Sequence, residues 1–90
     1  MRSTRTDSVR RQIRIEVRPF AYLRRYLPTH TDGKRAPLET TARDVRAVAA
    51  ELGIPPSVLG VIMLNGRHAD ADARLHDGDV VSFFPPIAGG

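Results

Sequence analysis

Only one stretch of this chain carries a full helical repeat with both ends marked, and that limits the fold more than any other feature. Val45, Val48, Ala49 and Leu52 fall at i, i+3, i+4 and i+7, which lines them along one side of a helix. Arg43, Arg46 and Glu51 fall on the wet side. The start is predicted at Thr41, because Thr41-Ala42-Arg43-Asp44 sets a hydroxyl three residues before a carboxylate, like a capping box with Asp in place of Glu. The carboxylate also suits the positive end of the helix dipole. Gly53 stands where a left-handed cap ends a helix, and Pro55-Pro56 cannot continue one. A single helix has a single apolar stripe to bury, so the rest of the chain must supply one surface to receive it.

The rest reads as short strands. Ile13-Arg14-Ile15-Glu16-Val17-Arg18 alternates apolar and charged, the period of a strand with one buried face, and Pro19 ends it or marks a bulge. Phe20, Leu23 and Leu27, spaced by three and four, predict a short helical turn packed back on that strand and stopped by Pro28. Residues 29–36 are polar with Gly33, hence a loop, and Leu38-Glu39-Thr40 is a second short strand paired hairpin-like with the first. Val58 to Leu64 is apolar and β-branched and is closed by Asn65-Gly66, two residues that tolerate positive φ in a hairpin turn. Val61 to Leu64 is predicted as a central strand and Arg67 to Ala69 as its return; Leu75 anchors the next turn, and Val80 to Phe84 is the last strand. The order fits an α+β β-grasp (ubiquitin-like) fold, a mixed four- to five-stranded sheet packed on one main helix. A ferredoxin-like fold would want a second full-length helix, for which Phe20 to Leu27 is too short. The expected organisation is a disordered basic arm at 1–12, the β-grasp domain at 13–86 and a flexible tail at 87–90.

Composition removes several functions. Ninety residues make one domain with a thin core, without room for separate cofactor and substrate domains. Cysteine is absent, which excludes disulfides, thiolate nucleophiles, Cys-ligated zinc and a carrier that uses its own thiol. No window approaches the ~18 apolar residues of a membrane span, and the charged N-terminus lacks the apolar core of a secretory signal, so a cytoplasmic protein away from the membrane is expected. The net charge of +4 comes from the first fourteen residues, where Arg2, Arg5, Arg10, Arg11 and Arg14 face only Asp7. The arm has no aromatic residue to stack on bases, so a solvated extension is expected ahead of nucleic-acid binding. His30, His68 and His76 lack ligand-like spacing, and Asp70, Asp72, Asp77 and Asp79 do not match a calcium loop. No metal site is expected; Asp77 and Asp79 are expected to fasten turns through side chain to backbone bonds. There is no catalytic triad, phosphate-binding Gly loop or acid–base pair.

The remaining feature is the ending. Pro85-Pro86 holds the chain extended after the last strand and removes two backbone donors, so Ile87-Ala88-Gly89-Gly90 is expected to leave the sheet. Two residues without Cβ pass through a narrow channel and let a partner's backbone approach closely. The last group is then a carboxylate that can attack the α-phosphate of ATP. If Val81 and Phe83 face the helix, Val80, Ser82 and Phe84 face outward, and Phe84 with Pro85 and Pro86 makes an apolar patch at the tail's root. Such a patch suits a partner, or merely covers the sheet's end.

Phe20-Ala21-Tyr22-Leu23-Arg24 resembles the Phe-Ala-x-Leu-Arg signature that follows the first strand of MoaD/ThiS-type sulfur carriers. Asn65-Gly66 resembles their mid-chain hairpin, and Leu75 to Gly90, through Asp77-Gly78-Asp79, Phe83-Phe84-Pro85-Pro86 and Ala88-Gly89-Gly90, is similar to the ending of the molybdopterin synthase small subunit. The resemblance runs from about Ile13 to Gly90, and the arm has no counterpart in short members. It implies a carrier rather than an enzyme, at most a non-catalytic small subunit of a sulfurtransferase. Gly90 would be adenylated and converted to a thiocarboxylate, with Gly89 and Ala88 thin enough to thread into a partner and Val80, Phe84, Pro85 and Pro86 on the docking side. No cofactor would be bound; ATP and Mg would be used by an activating enzyme, a ubiquitin-activating-type adenylyltransferase. The sulfur acceptor would resemble the molybdopterin synthase large subunit. Arg25 to Pro28 is similar to a variant that accompanies tungsten-dependent oxidoreductases, and the Phe84-Pro85-Pro86 ending leans toward molybdopterin or tungstopterin assembly over thiamine or amino-acid biosynthesis. A ubiquitin-like modifier conjugated through Gly90 would use the same adenylate, whereas a non-conjugating β-grasp binding module would not need a free Gly-Gly.

Overall fold

The computed structural model describes residues 11–28 and 33–86. β1 (Ile13–Pro19) is followed by a 3-10 turn (Ala21–Tyr26), β2 (Ala36–Thr40), the helix α1 (Val45–Leu52), a second 3-10 turn (Pro56–Val58), β3 (Val61–Leu64), β4 (Arg67–Ala69) and β5 (Val80–Phe84). The five strands form one mixed sheet in the order β2-β1-β5-β3-β4. β1 and β5 run parallel, while the β1/β2, β3/β5 and β3/β4 pairs are antiparallel. This is the β-grasp arrangement. β3 is interior, as its apolar run requires, but the centre belongs to β5, because the last strand inserts between the first and the third.

The period-two pattern of β1 places Ile15 and Val17 in the core, and β5 adds Val81 and Phe83. The stripe of α1 covers them with Val45, Val48 and Ala49, and Leu23, Leu27, Ile54, Ile62 and Leu75 close the sides. Leu52 is only partly buried. Pro37 lies on the edge strand β2 and is exposed, so its missing N–H need not cost a ladder bond. Asn65 and Gly66 both take positive φ, 53° and 83°, which matches the twist of a two-residue hairpin.

The helix begins later than its capping-box pattern predicts. Asp44, not Thr41, is the N-cap: its backbone is extended, and its carboxylate accepts the Ala47 N–H at 2.9 Å. The chain before it pairs with the segment ahead of β5. Asp44 and Arg74 pair backbone to backbone in an isolated antiparallel β-bridge, and Leu75 N–H donates to the Arg43 carbonyl. The first two helical N–H groups, Val45 and Arg46, donate to the carbonyls of Ala73 and Ala71. A neighbouring backbone therefore satisfies donors that a capping box would have had to serve. At the other end Gly53 is left-handed (φ 81°), and its N–H and that of Ile54 return to carbonyls of the last turn.

Phe20 is the second correction. Leu23 and Leu27 enter the core, but Phe20 stays on the outer face. Its parity continues that of Arg14, Glu16 and Arg18, and Ala21, at φ 55°, turns the chain before the 3-10 segment dives inward. Among the described residues, no helix is long and apolar enough to cross a membrane.

Candidate functional site

α1 occupies one face of the sheet; the other carries the outward side chains at the root of the tail. Val81 and Phe83 are fully buried, so Val80, Ser82 and Phe84 point to the opposite side, as the alternation predicts. Phe84 is half-buried there because Phe20 stacks on it, ring centroids 4.4 Å apart and planes within 10°. Parallel register explains the meeting: Pro19 pairs with Phe83, so the next residue of each strand lands side by side. On the other flank Val61 is Phe84's partner in β3 and is 37% exposed. Phe20, Phe84 and Val61 thus form an apolar patch, and the chain leaves it through Pro85 and Pro86.

Positive charge rims this patch. The Arg24 guanidinium lies 6.0 Å from the centre of the Phe20 ring, and Arg18, Arg24, Lys34 and Arg35 line an open concavity beside it. Arg18 is paired with Glu16 on its own strand. The site therefore offers an apolar centre and a cationic border, which suits a partner surface with an acidic rim.

Val80 is not part of this cluster. It sits at the start of β5, opposite Glu16, about 13 Å along the strand from Phe84. That end is fastened by the turn aspartates. Asp79 accepts the His76 N–H at 2.8 Å and the Asn65 side-chain N–H at 2.9 Å, and the Asn65 side-chain oxygen Oδ1 accepts the Val80 N–H at 2.8 Å. Asp77 accepts the Arg14 N–H at 2.8 Å. Asp70 accepts the N–H of Asp72, and Asp72 bridges to Arg46 at 2.5 Å, raising that guanidinium further above its ordinary pKa. The four aspartates are engaged with turns and Arg46. Among the described residues, no group of three or more His, Asp or Glu is placed to hold a metal ion.

A second hollow lies between the end of α1, the 55–60 loop and β4, with Ile54, Pro56, Leu59 and Ile62 in its walls and Arg46 and Asp70 as its ionisable lining residues. Both are engaged, Asp70 with the Asp72 N–H and Arg46 with the Asp72 carboxylate. Ala88, Gly89 and Gly90, the residues expected to thread and react, lie outside the described residues, as does the arm through Arg10. Phe20 is the residue that sequence reasoning misplaced. The signal was present, since β1 parity carried one step past Pro19 points it outward.

The ThiS family model matches residues 17–90, from within β1 through the final glycine. A Pyrococcus furiosus protein assigned as subunit 1 of molybdopterin converting factor is 30% identical over 83% of this chain and 99% of its own, with a TM-score of 0.61. A complex of subunits 1 and 2 of molybdopterin-converting factor from Helicobacter pylori contains a chain 28% identical over 87% of this one and 100% of its own, with a TM-score of 0.52. Small archaeal modifier protein 1 from Methanosarcina acetivorans shares the fold at 21% identity, over 88% of this chain and 98% of its own, with a TM-score of 0.63. No curated protein sequence matches the chain.

Proposed function

The chain belongs to the ThiS family and is a ubiquitin-like sulfur carrier, and from that premise we propose that Gly90 is adenylated, converted to a thiocarboxylate and used to deliver sulfur in molybdopterin or tungstopterin assembly. The observation that carries this reading is the reach of the family match, which continues past β5 and Pro86 to Gly90. The chain is a co-substrate, and its contribution is presentation. A carboxylate oxygen of Gly90 attacks the α-phosphorus of ATP, and the bond to pyrophosphate breaks. The acyl carbon of the adenylate then takes a hydrosulfide equivalent, AMP leaves with the former carboxylate oxygen, and the thiocarboxylate remains. Mg2+ and ATP belong to the activating enzyme, an adenylyltransferase of the ubiquitin-activating type in the cytoplasm.

In this scheme the Phe20–Phe84 patch docks, Pro85 and Pro86 stiffen the exit, and Ala88 and Gly89 keep the tail thin. The H. pylori relative occurs in a complex of subunits 1 and 2, and that supports a large-subunit-like synthase as the sulfur acceptor. Intact mass spectrometry of the protein purified from its own host tests the proposal. The expected result is a species in which one oxygen is exchanged for sulfur at the C-terminus. Full activity after one residue is appended to Gly90 would refute it, because a blocked carboxylate cannot be adenylated. Gly-Gly remnants on lysines of other proteins, without the sulfur species, would replace it with the modifier reading.

A further inference from the structure

Four described glycines, Gly33, Gly53, Gly66 and Gly78, have positive φ and open space where a Cβ would stand. Gly60 is the reverse. Its φ lies outside the left-handed region, yet a Cβ would stand 2.7 Å from the Cα and N of Pro86 and 2.8 Å from the carbonyl carbon of Pro85. All three obstacles are backbone atoms, so no rotamer change clears them. The two segments cannot simply separate, because the Gly60 N–H donates to the Phe84 carbonyl at 2.8 Å and Val61 is already in register with Phe84. The missing side chain is thus the space in which the Pro-Pro root lies.

We propose that Gly60 is a positioning residue: its bare Cα seats Pro85 and Pro86 and so sets the direction in which the chain leaves the sheet toward Gly90. The inference rests on the adenylation reading above. Pro85 and Pro86 hold φ near −65°, so a push at the root is passed on rather than absorbed. Restoring an ordinary carbon contact of about 3.5 Å needs a shift of roughly 0.8 Å. Across one Cα–Cα step of about 3.8 Å that is a swing of about 12° in the direction at which the chain leaves Pro86. A chain that starts off line must be bent back before its end can react, and a loss of orientation of this kind lowers turnover by about tenfold. Most of the docking patch, Phe20 with Arg24 at its rim, lies across Phe84 from Gly60, so affinity is expected to be largely kept.

The test is ATP–pyrophosphate exchange with the full chain and the adenylyltransferase of the same host, comparing wild type, Gly60→Ala, Pro86→Gly and the double variant. Gly60→Ala is expected to lower kcat about tenfold while KM for the carrier stays within about threefold. Pro86→Gly frees φ, so in that background Gly60→Ala is expected to lower kcat by less than about twofold. Equal losses in the two backgrounds, an unchanged kcat, or a rise in KM alone would overturn the assignment. So would a Gly60→Ala chain that does not fold, since the contact would then hold the sheet rather than aim the tail. No exchange with wild type would instead refute the adenylation reading. The seat is then judged by chemical shifts of Pro85 and Pro86 in Gly60→Ala, and unchanged shifts overturn it.

Discussion

Phe84→Ala separates docking from folding, and its two magnitudes can be worked independently. Truncating a fully buried Phe costs about 3–5 kcal/mol. Phe84 is only half-buried, and the ring of Phe20 is stacked on it. A stacked pair contributes about 0.5–1.5 kcal/mol beyond burial, so the expected loss of stability is about 2 kcal/mol. A domain of this length holds roughly 5–13 kcal/mol, so the variant stays folded. Its melting temperature should fall by about 8–16 °C. If Phe84 is the buried anchor of the interface, binding to the activating enzyme weakens by about 2 kcal/mol or more, roughly thirtyfold. Calorimetric titration with the adenylyltransferase, run at a temperature well below the melt, reads that number directly. Phe83→Ala is the control: Phe83 is the neighbouring ring, fully buried on the helix side, and should lose about 3–5 kcal/mol of stability. Unchanged affinity for Phe84→Ala, with the expected fall in melting temperature, would refute the docking role and leave Phe84 as a cover for the sheet's end.

Two further predictions concern the scaffold. Asp79→Ala removes the acceptor of two hydrogen bonds on a side chain that is 13% exposed, and should cost about 2–3 kcal/mol, with hydrogen exchange accelerating first at Asn65 and Val80. Asp44→Ala should cost about 1 kcal/mol in a denaturant melt and Thr41→Ala about zero; the opposite ranking would restore Thr41 as the cap.

Much of the fold was legible because one face of each element is buried. Strict alternation in Ile13 to Arg18 marked which of its side chains meet the helix, while Val80 to Phe84 showed only that its residues divide between two faces; the structure places Ile15, Val17, Val81 and Phe83 on the helix side. Asn65-Gly66 and Gly53 were legible because few residues accept their backbone angles. The start of α1 was not. A capping box is a local pattern, and here residues 71–75, far along the chain, supply the acceptors that decide where helix can begin. Phe20 was misplaced for a similar reason. Spacing of three and four describes a helix, but Phe20 still belongs to the strand's parity, and only the pairing of β1 with β5 gives it a partner. The outward set on β5 was correct in parity but too broad in extent, since Val80 shares a face with Phe84 and not a neighbourhood.

The parallel pairing of first and last strands has a consequence for presentation. Because β5 is central, its C-terminal end has a neighbour on each side. From the β1 side, Phe20 stacks on Phe84, and its N–H donates to the Phe83 carbonyl at 2.9 Å. From the β3 side, Gly60 binds the Phe84 carbonyl and leaves room for Pro86. Were β5 an edge strand, one of these constraints would be missing and the root could swing away from the sheet. The far end of the same strand is fastened by Asp79 and Asn65, so a push on the root cannot be relieved by sliding β5 along its neighbours. What leaves the sheet after Pro86 therefore starts from a point and direction fixed by both neighbours of β5.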